Sequence, residues 1–180
     1  METMFENDHV RVVRVVLRRG QRAPVYSPAA KPMVRIQLAP GALYGRVLFS
    51  DKGSPEKANV TLDENIDEIR VELKASIKSR PMELDAIKID PRRYKVVLEN
   101  GLVRVVRLRF EGREAGLMVT HPPRVLATLT DVQVKLLFAD GRRDERGAPP
   151  GVAAWLEEET LQTENGRDVP LEVVLVEPKG

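Results

Sequence analysis

The chain of 180 residues has no cysteine, two histidines, one tryptophan and an aromatic share of 4%. Without cysteine, disulfide frameworks, thiol catalysis and thiolate-ligated zinc are excluded. Metal sites that need three histidines from one chain are excluded as well. Charge of one sign is also lacking. The 29 basic and 27 acidic residues leave a net charge of +2. A polyanion-binding tract is therefore not expected, and base-stacking aromatics are few, so nucleic acid is not an expected partner. Apolar runs such as Val152–Leu156 and Leu171–Val176 are far shorter than the roughly 20 residues a membrane-spanning helix needs. The start, Met1-Glu2-Thr3-Met4-Phe5-Glu6, is acidic and polar and lacks the pattern of a secretory signal. A soluble protein without a membrane partner is expected, with the cytoplasm favoured. Two enzyme signatures are missing too. No Gly-x-Ser-x-Gly elbow occurs, and Gly112 and Gly116 do not sit between a strand and a helix as a phosphate loop requires.

What the sequence does contain is a core and a repeat. Hydrophobic residues make up 42% of the chain, enough to exclude a disordered tail. Glu6-Asn7-Asp8-His9-Val10-Arg11-Val12-Val13-Arg14 recurs as Glu99-Asn100-Gly101-Leu102-Val103-Arg104-Val105-Val106-Arg107, with only Asp8 and His9 replaced. Leu48-Phe49-Ser50-Asp51 matches Leu137-Phe138-Ala139-Asp140, and Glu64-Asn65 echoes Glu164-Asn165. A repeat this long points to two related domains rather than a solenoid. We place them at residues 1–80 and 81–180, with the charged stretch Ala75–Asp90 as the connection.

The apolar period is that of strands. Val132, Val134, Leu136 and Phe138 alternate with polar residues, as do Val106, Leu108 and Phe110, and Val13, Val15 and Leu17. The doublets Val12-Val13 and Val105-Val106 shift the parity and predict a bulge or a change of sheet there. Ile69, Val71 and Leu73 predict a strand to about Lys74, partnered near Glu172–Glu177. The spacing of Ile66, Ile69, Leu73 and Ile77 also fits a helix over Asp63–Arg80. Ile87-Lys88-Ile89 is expected as an edge strand. Turn signals at Pro40-Gly41, Asp51-Lys52-Gly53, Asn100-Gly101, Asp140-Gly141 and Asn165-Gly166 cut the chain into many short strands, as in a sandwich or barrel.

In the second repeat, Gly116–Arg124, Leu126–Asp131, Phe138-Ala139-Asp140-Gly141, Ala153–Leu156, Thr163–Gly166 and Leu175–Glu177 follow an order that resembles the small cupin domains. These are double-stranded β-helix jelly rolls. The resemblance covers most of Tyr94–Lys179. The first repeat, Phe5–Lys74, resembles a shortened cupin. The whole chain therefore resembles a bicupin, and an all-β fold of two jelly-roll modules is expected, the first one shortened.

The resemblance also implies a metal site, and this chain departs from it. The family's first motif places two histidines at i and i+2, on one face of a strand. Here they fall on Val119 and His121. The family's glutamate falls on Val125 or Leu126, and the third histidine on Leu161. In the first repeat the pair falls near Tyr26 and Pro28, and His9 lies outside the motif. A lone His121 between aliphatic residues does not make a metal site, so no metal and no cofactor are expected. Glu157, Glu158 and Glu159 read as a solvated acidic turn, and Arg142–Arg146 as a hydrated hairpin loop. Arg11, Arg14, Arg104, Arg107 and Arg109 read as an outward sheet face whose stems cover apolar surface.

Two functions are then in contention. One is a non-catalytic module that binds a small ligand or another protein, with His121 as the ligand-contacting residue and Val119 and Leu161 filling the barrel. The other is a metal-independent isomerase or epimerase in which His121 is a general base for a small polar or sugar-like substrate, with Tyr26 or Tyr44 as candidate acids too uncertain to assign. The first is the expected one. The unprotected sheet edge of a shortened first repeat also leads to the expectation of a homodimer.

Overall fold

Alternating valine and arginine builds strands in both halves of the computed structural model, which describes residues 1–21, 31–51, 65–75, 77 and 82–179. The chain divides into two compact units, Met1–Ser76 and Ile77–Gly180. The first unit contains β1 (Glu2–Glu6), β2 (Val10–Leu17), β3 (Met33–Gln37), β4 (Val47–Ser50) and β5 (Ile66–Leu73). They form one antiparallel sheet in the order β1-β2-β5-β3-β4.

The second unit opens with the short helix α1 (Ala86–Ile89). The strands β6 (Tyr94–Glu99), β7 (Val103–Phe110), β8 (Val119–His121), β9 (Arg124–Thr128) and β10 (Val132–Phe138) follow. Then come β11 (Arg143–Ala148), β12 (Ala153–Leu156), β13 (Glu159–Asn165) and β14 (Leu171–Pro178). Two antiparallel sheets result, in the orders β12-β9-β14-β7-β6 and β11-β10-β13-β8. Among the described residues, no helix is long and apolar enough to cross a membrane.

The sheet β6-β7-β14-β9-β12 repeats the strand order of β1-β2-β5-β3-β4, and the side-chain chemistry repeats with it. Arg11 lies opposite Glu72 and pairs with it at 3.6 Å; Arg104 lies opposite Glu177 and pairs at 2.5 Å. Arg14 pairs with Asp67 at 2.6 Å, and Arg107 with Glu172 at 2.5 Å. Lys74 Nζ donates to the Asn7 carbonyl and Glu6, as Lys179 Nζ does to the Asn100 carbonyl and Glu99. Asn7 Oδ1 accepts from the N–H groups of His9 and Val10, and Asn100 Oδ1 from those of Leu102 and Val103. The repeated sequence thus folds into one repeated sheet. The strands β8, β10, β11 and β13 have no counterpart among the described residues of the first unit.

The segment with two periodicities, Asp63–Arg80, forms β5 where it is described. It pairs along its whole length with β2, and β14 occupies the equivalent place against β7. Other expectations are corrected. Ile87–Ile89 belongs to α1 rather than to an edge strand. Asp85 caps that turn by accepting from the Ile87 N–H, and Pro91 follows directly after its C-cap. The ladders through Val12-Val13 and Val105-Val106 are unbroken on the β5 and β14 sides. The expected irregularities do occur at both doublets, with the extra residue on the partner strand: in β1 between Thr3 and Phe5, opposite Val13 and Val12, and in β6 between Val96 and Leu98, opposite Val106 and Val105. Leu48-Phe49 and Leu137-Phe138 are not equivalent positions. β4 is the edge strand beside β3, whereas β10 is an inner strand of the other sheet of the second unit. Tyr26, Pro28 and Glu64 lie outside the described residues.

In the second unit Val106, Leu108, Phe110, Leu171, Val173 and Leu175 from one sheet pack with Val119 and Val132 from the other. Burying side chains of this size stabilises the unit by roughly 1.5–3 kcal/mol each. The equivalent face in the first unit is charged. Arg35 lies opposite Arg70 in the register where Leu126 lies opposite Leu175. Both arginines donate to the buried Glu68 carboxylate, Arg35 at 3.0 Å and Arg70 at 2.5 Å.

Candidate functional site

The parity of three strands assembles the site. Register places His121 opposite Glu159 and Val119 opposite Leu161. The hydroxyls of Thr120 and Thr160, 2.9 Å apart, tie the same two strands on the opposite face. In β9, Arg124, Leu126 and Thr128 point to one face, and all three line a cavity of about 210 Å³ inside the second unit. Its walls are mainly apolar and include Leu108, Leu136, Leu161, Val173 and Leu175; His121 and Arg124 bring polar groups to it. The barrel is therefore not filled, contrary to expectation. Leu161 forms part of the wall, and Val119 is buried in the neighbouring core.

His121 is buried, and its Nε2 lies 3.3 Å from the Tyr94 hydroxyl. Tyr94 is a tyrosine that sequence reasoning did not single out. Burial pushes the Tyr94 phenol up, so it stays protonated. Burial, with the nearby guanidinium groups of Arg124 and Arg104, holds the His121 imidazole well below its ordinary range, so it is neutral at pH 7. The buried Tyr94 O–H needs an acceptor, and His121 Nε2 is the one it meets. With Tyr94 donating, the proton of the neutral ring sits on Nδ1. His121 Nδ1 is buried and has no hydrogen-bond partner.

Arg124 is buried as well. Its Nη1 donates to the carbonyls of Pro122 and Glu157, each at 3.1 Å, and its Nη2 to Glu159 Oε2 at 3.0 Å. Its Nε is buried without a partner. Arg146 takes the other Glu159 oxygen at 2.8 Å. Burial raises the Glu159 pKa, but the hydrogen bonds and charges of Arg146 and Arg124 outweigh it and hold the group below its ordinary value. The acidic run is thus divided: Glu157 and Glu158 are exposed, and Glu159 is an inward ion-pair partner. Strand parity carried the signal, since Glu159 shares its face with Leu161 and Thr163.

Arg104 is likewise not an outward arginine. It shares a face with Val106 and Leu108, and joins Glu177 at 2.5 Å to Asp85, the cap of α1, at 3.2 Å. Burial raises the Glu177 pKa despite the facing Arg104. Arg107 and Arg109 lie on the other face and share Glu172. Arg143–Arg146 is strand β11 rather than a hydrated loop. The guanidinium of Arg142 stacks 3.7 Å from the Phe138 ring centroid, with that of Arg146 at 5.7 Å.

Solved structures with this arrangement cover almost the whole chain. AerE from Microcystis aeruginosa matches 99% of the chain and 97% of its own, at 11% identity and a TM-score of 0.62. The chain has the cupin fold. A Cupin 2 conserved barrel domain protein from Leptotrichia buccalis matches 97% of this chain and 86% of its own, at 10% identity and a TM-score of 0.54. YhaK from Escherichia coli matches 100% and 92%, at 14% identity and a TM-score of 0.53. These full-length matches and the repeated sheet make the architecture a bicupin one. No family model and no curated protein sequence matches the chain.

The metal centre that the cupin resemblance implies does not fit these residues. Val119 and Leu161 occupy two of the ligand positions as paired, buried aliphatic side chains. The Nε2 of His121 is engaged by Tyr94, and both oxygens of its neighbour Glu159 are held by arginines. Among the described residues, no group of three or more histidine, aspartate or glutamate side chains could hold an ion.

Proposed function

We propose that the second unit is a small-molecule binding module and not an enzyme. The observation that carries this reading is a partly open cavity of about 210 Å³ whose mainly apolar wall includes His121, with the buried Nδ1 of that ring left without a partner. A buried polar atom without a partner is rare in a finished core and is accounted for when a ligand completes it. An apolar cavity of roughly 150 Å³ is known to hold benzene, which sets the scale of the guest.

The isomerase reading asks His121 to take a proton. A general base works best with a pKa near the operating pH. Burial and two guanidinium neighbours hold this imidazole far below that range. Donating a hydrogen bond from Nδ1 is the role its surroundings support. The test is a nitrogen–proton NMR titration of the full chain with benzene and with benzoate. Saturable shifts centred on β8, β9 and β13 are expected for at least one guest. Spectra unchanged by both would end the reading. Exchange of carbon-bound protons of a bound guest with deuterated solvent would return the catalytic one.

A further inference from the structure

Among the described residues of the second unit, three side-chain nitrogen atoms are buried without a partner: Arg93 Nε, His121 Nδ1 and Arg124 Nε. Arg93 Nε and Arg124 Nε are donors, and His121 Nδ1 is one when Tyr94 donates to its Nε2. Two of them, on His121 and Arg124, belong to residues that line the same cavity. A neutral polar guest could take either role in a hydrogen bond, but two orphaned donors with no orphaned acceptor beside them call for a guest that only accepts.

Charge points the same way. The charged residues lining the cavity are Arg124 and Arg146, and no acid lines it. The carboxylate that compensates both, Glu159, is shared: its Oε2 accepts from Arg124 at 3.0 Å and from Arg146 at 3.4 Å, and its Oε1 accepts from Arg146 at 2.8 Å. Arg146 has a second partner in Asp144, at 3.3 Å, on its more exposed side. Among the described residues Arg124 has Glu159 as its one carboxylate within ion-pair distance, and the charge of Glu177 acts on it from farther away. It is the more deeply buried of the two, and its Nη1 donates to neutral carbonyls. The wall beyond this polar end is mostly leucine and valine side chains, with Thr128 and Thr163 among them.

Resting on the binding reading above, we propose that the guest is a small apolar monocarboxylate. Its carboxylate accepts from Arg124 Nε and His121 Nδ1, and its hydrocarbon body lies among Leu126, Leu136, Leu161 and Leu175. A hydrogen bond from a guanidinium to a carboxylate is charge-assisted and stronger than one to a neutral isostere, which favours an anion.

The experiment is calorimetric titration of the full chain at neutral pH with four probes: benzoate, benzyl alcohol, benzene and acetate. Benzoate is expected to bind at least about tenfold more tightly than benzyl alcohol and than acetate. In Arg124→Gln that preference over benzyl alcohol is expected to vanish. Arg124→Lys, which keeps the charge but has no Nε–H fork, should retain part of it. Circular dichroism reports whether each variant folds, and the wild-type comparison stands if neither does. Benzyl alcohol binding as tightly as benzoate would overturn the carboxylate and leave the binding module intact. Acetate matching benzoate would overturn the apolar body. No heat from any of the four would overturn both the class and the module.

Discussion

The Tyr94 hydroxyl stands 3.3 Å from His121 Nε2, with the two rings tilted at 46°. Tyr94 opens β6 and His121 closes β8, strands of different sheets, so this contact joins the two layers at the edge of the cavity. With the hydroxyl as donor, the imidazole carries its proton on Nδ1. Nitrogen chemical shifts of His121 are expected to report a protonated Nδ1 and a bare Nε2. Tyr94→Phe should abolish that fixed preference and cost about 1–2 kcal/mol in denaturant unfolding, because it leaves a buried acceptor unmade. A wild-type ring protonated on Nε2 would contradict the assignment.

Burial and the charges of Arg124 and Arg104 keep His121 from binding a proton in the folded chain. The unfolded chain binds one near pH 6.5, the usual imidazole value of about 6.5. The contribution is therefore complete above that pH and is lost below it, with a slope approaching about 1.4 kcal/mol per pH unit. Unfolding midpoints between about pH 7.5 and 5.5 should fall more steeply for wild type than for His121→Gln. Glu177 acts with the opposite sign, because burial raises its pKa, and it is common to both proteins. Parallel curves would show that His121 charges freely in the folded state.

Glu157, Glu158 and Glu159 are consecutive, yet only Glu159 holds a buried cation. Removing one member of a buried pair costs about 3–5 kcal/mol because the other charge is left uncompensated. Glu159→Gln should approach that loss. Glu157→Gln, at an exposed side chain that accepts from Trp155 Nε1, should cost no more than about 1 kcal/mol. Chemical denaturation of the two variants side by side measures the contrast, and equal losses would refute the inward placement of Glu159.

Much of this architecture is written in the one-dimensional pattern. The recurrence of Glu6–Arg14 as Glu99–Arg107 carries both a strand and the asparagine that caps its entry, so the fold repeats down to single hydrogen bonds. Ile69, Val71 and Leu73 read as a strand because a two-residue period survives even where Glu68, Arg70 and Glu72 are buried too. Helix α1 escaped because one turn fixed by the Asp85 cap has no period to read. The doubled valines were legible as a bulge but not on which strand it lies, since a bulge belongs to a pair of strands. The polar end of the cavity escaped for a related reason. Arg124 and Glu159 look like surface charges until the register of β8, β9 and β13 turns them to the inside.

Gly112 and Gly116 are explained by close approach rather than by phosphate binding. A Cβ at Gly112 would lie 2.2 Å from the Asp168 carbonyl oxygen, and one at Gly116 would lie 3.0 Å from the Phe110 ring. The first obstacle is backbone, held beside Arg113, whose own N–H bonds the Arg167 carbonyl at 2.8 Å. It cannot turn aside as a side chain does, so the loop leading to β14 must move. Gly112→Ala is expected to cost about 1–3 kcal/mol. Gly141→Ala makes a useful comparison, because a Cβ there meets nothing within 4 Å and the strain comes only from its φ of +85°. Thermal unfolding should show Gly112→Ala as the more damaging of the two. The reverse order would mean that the Gly112–Asp168 approach is looser than the structure has it.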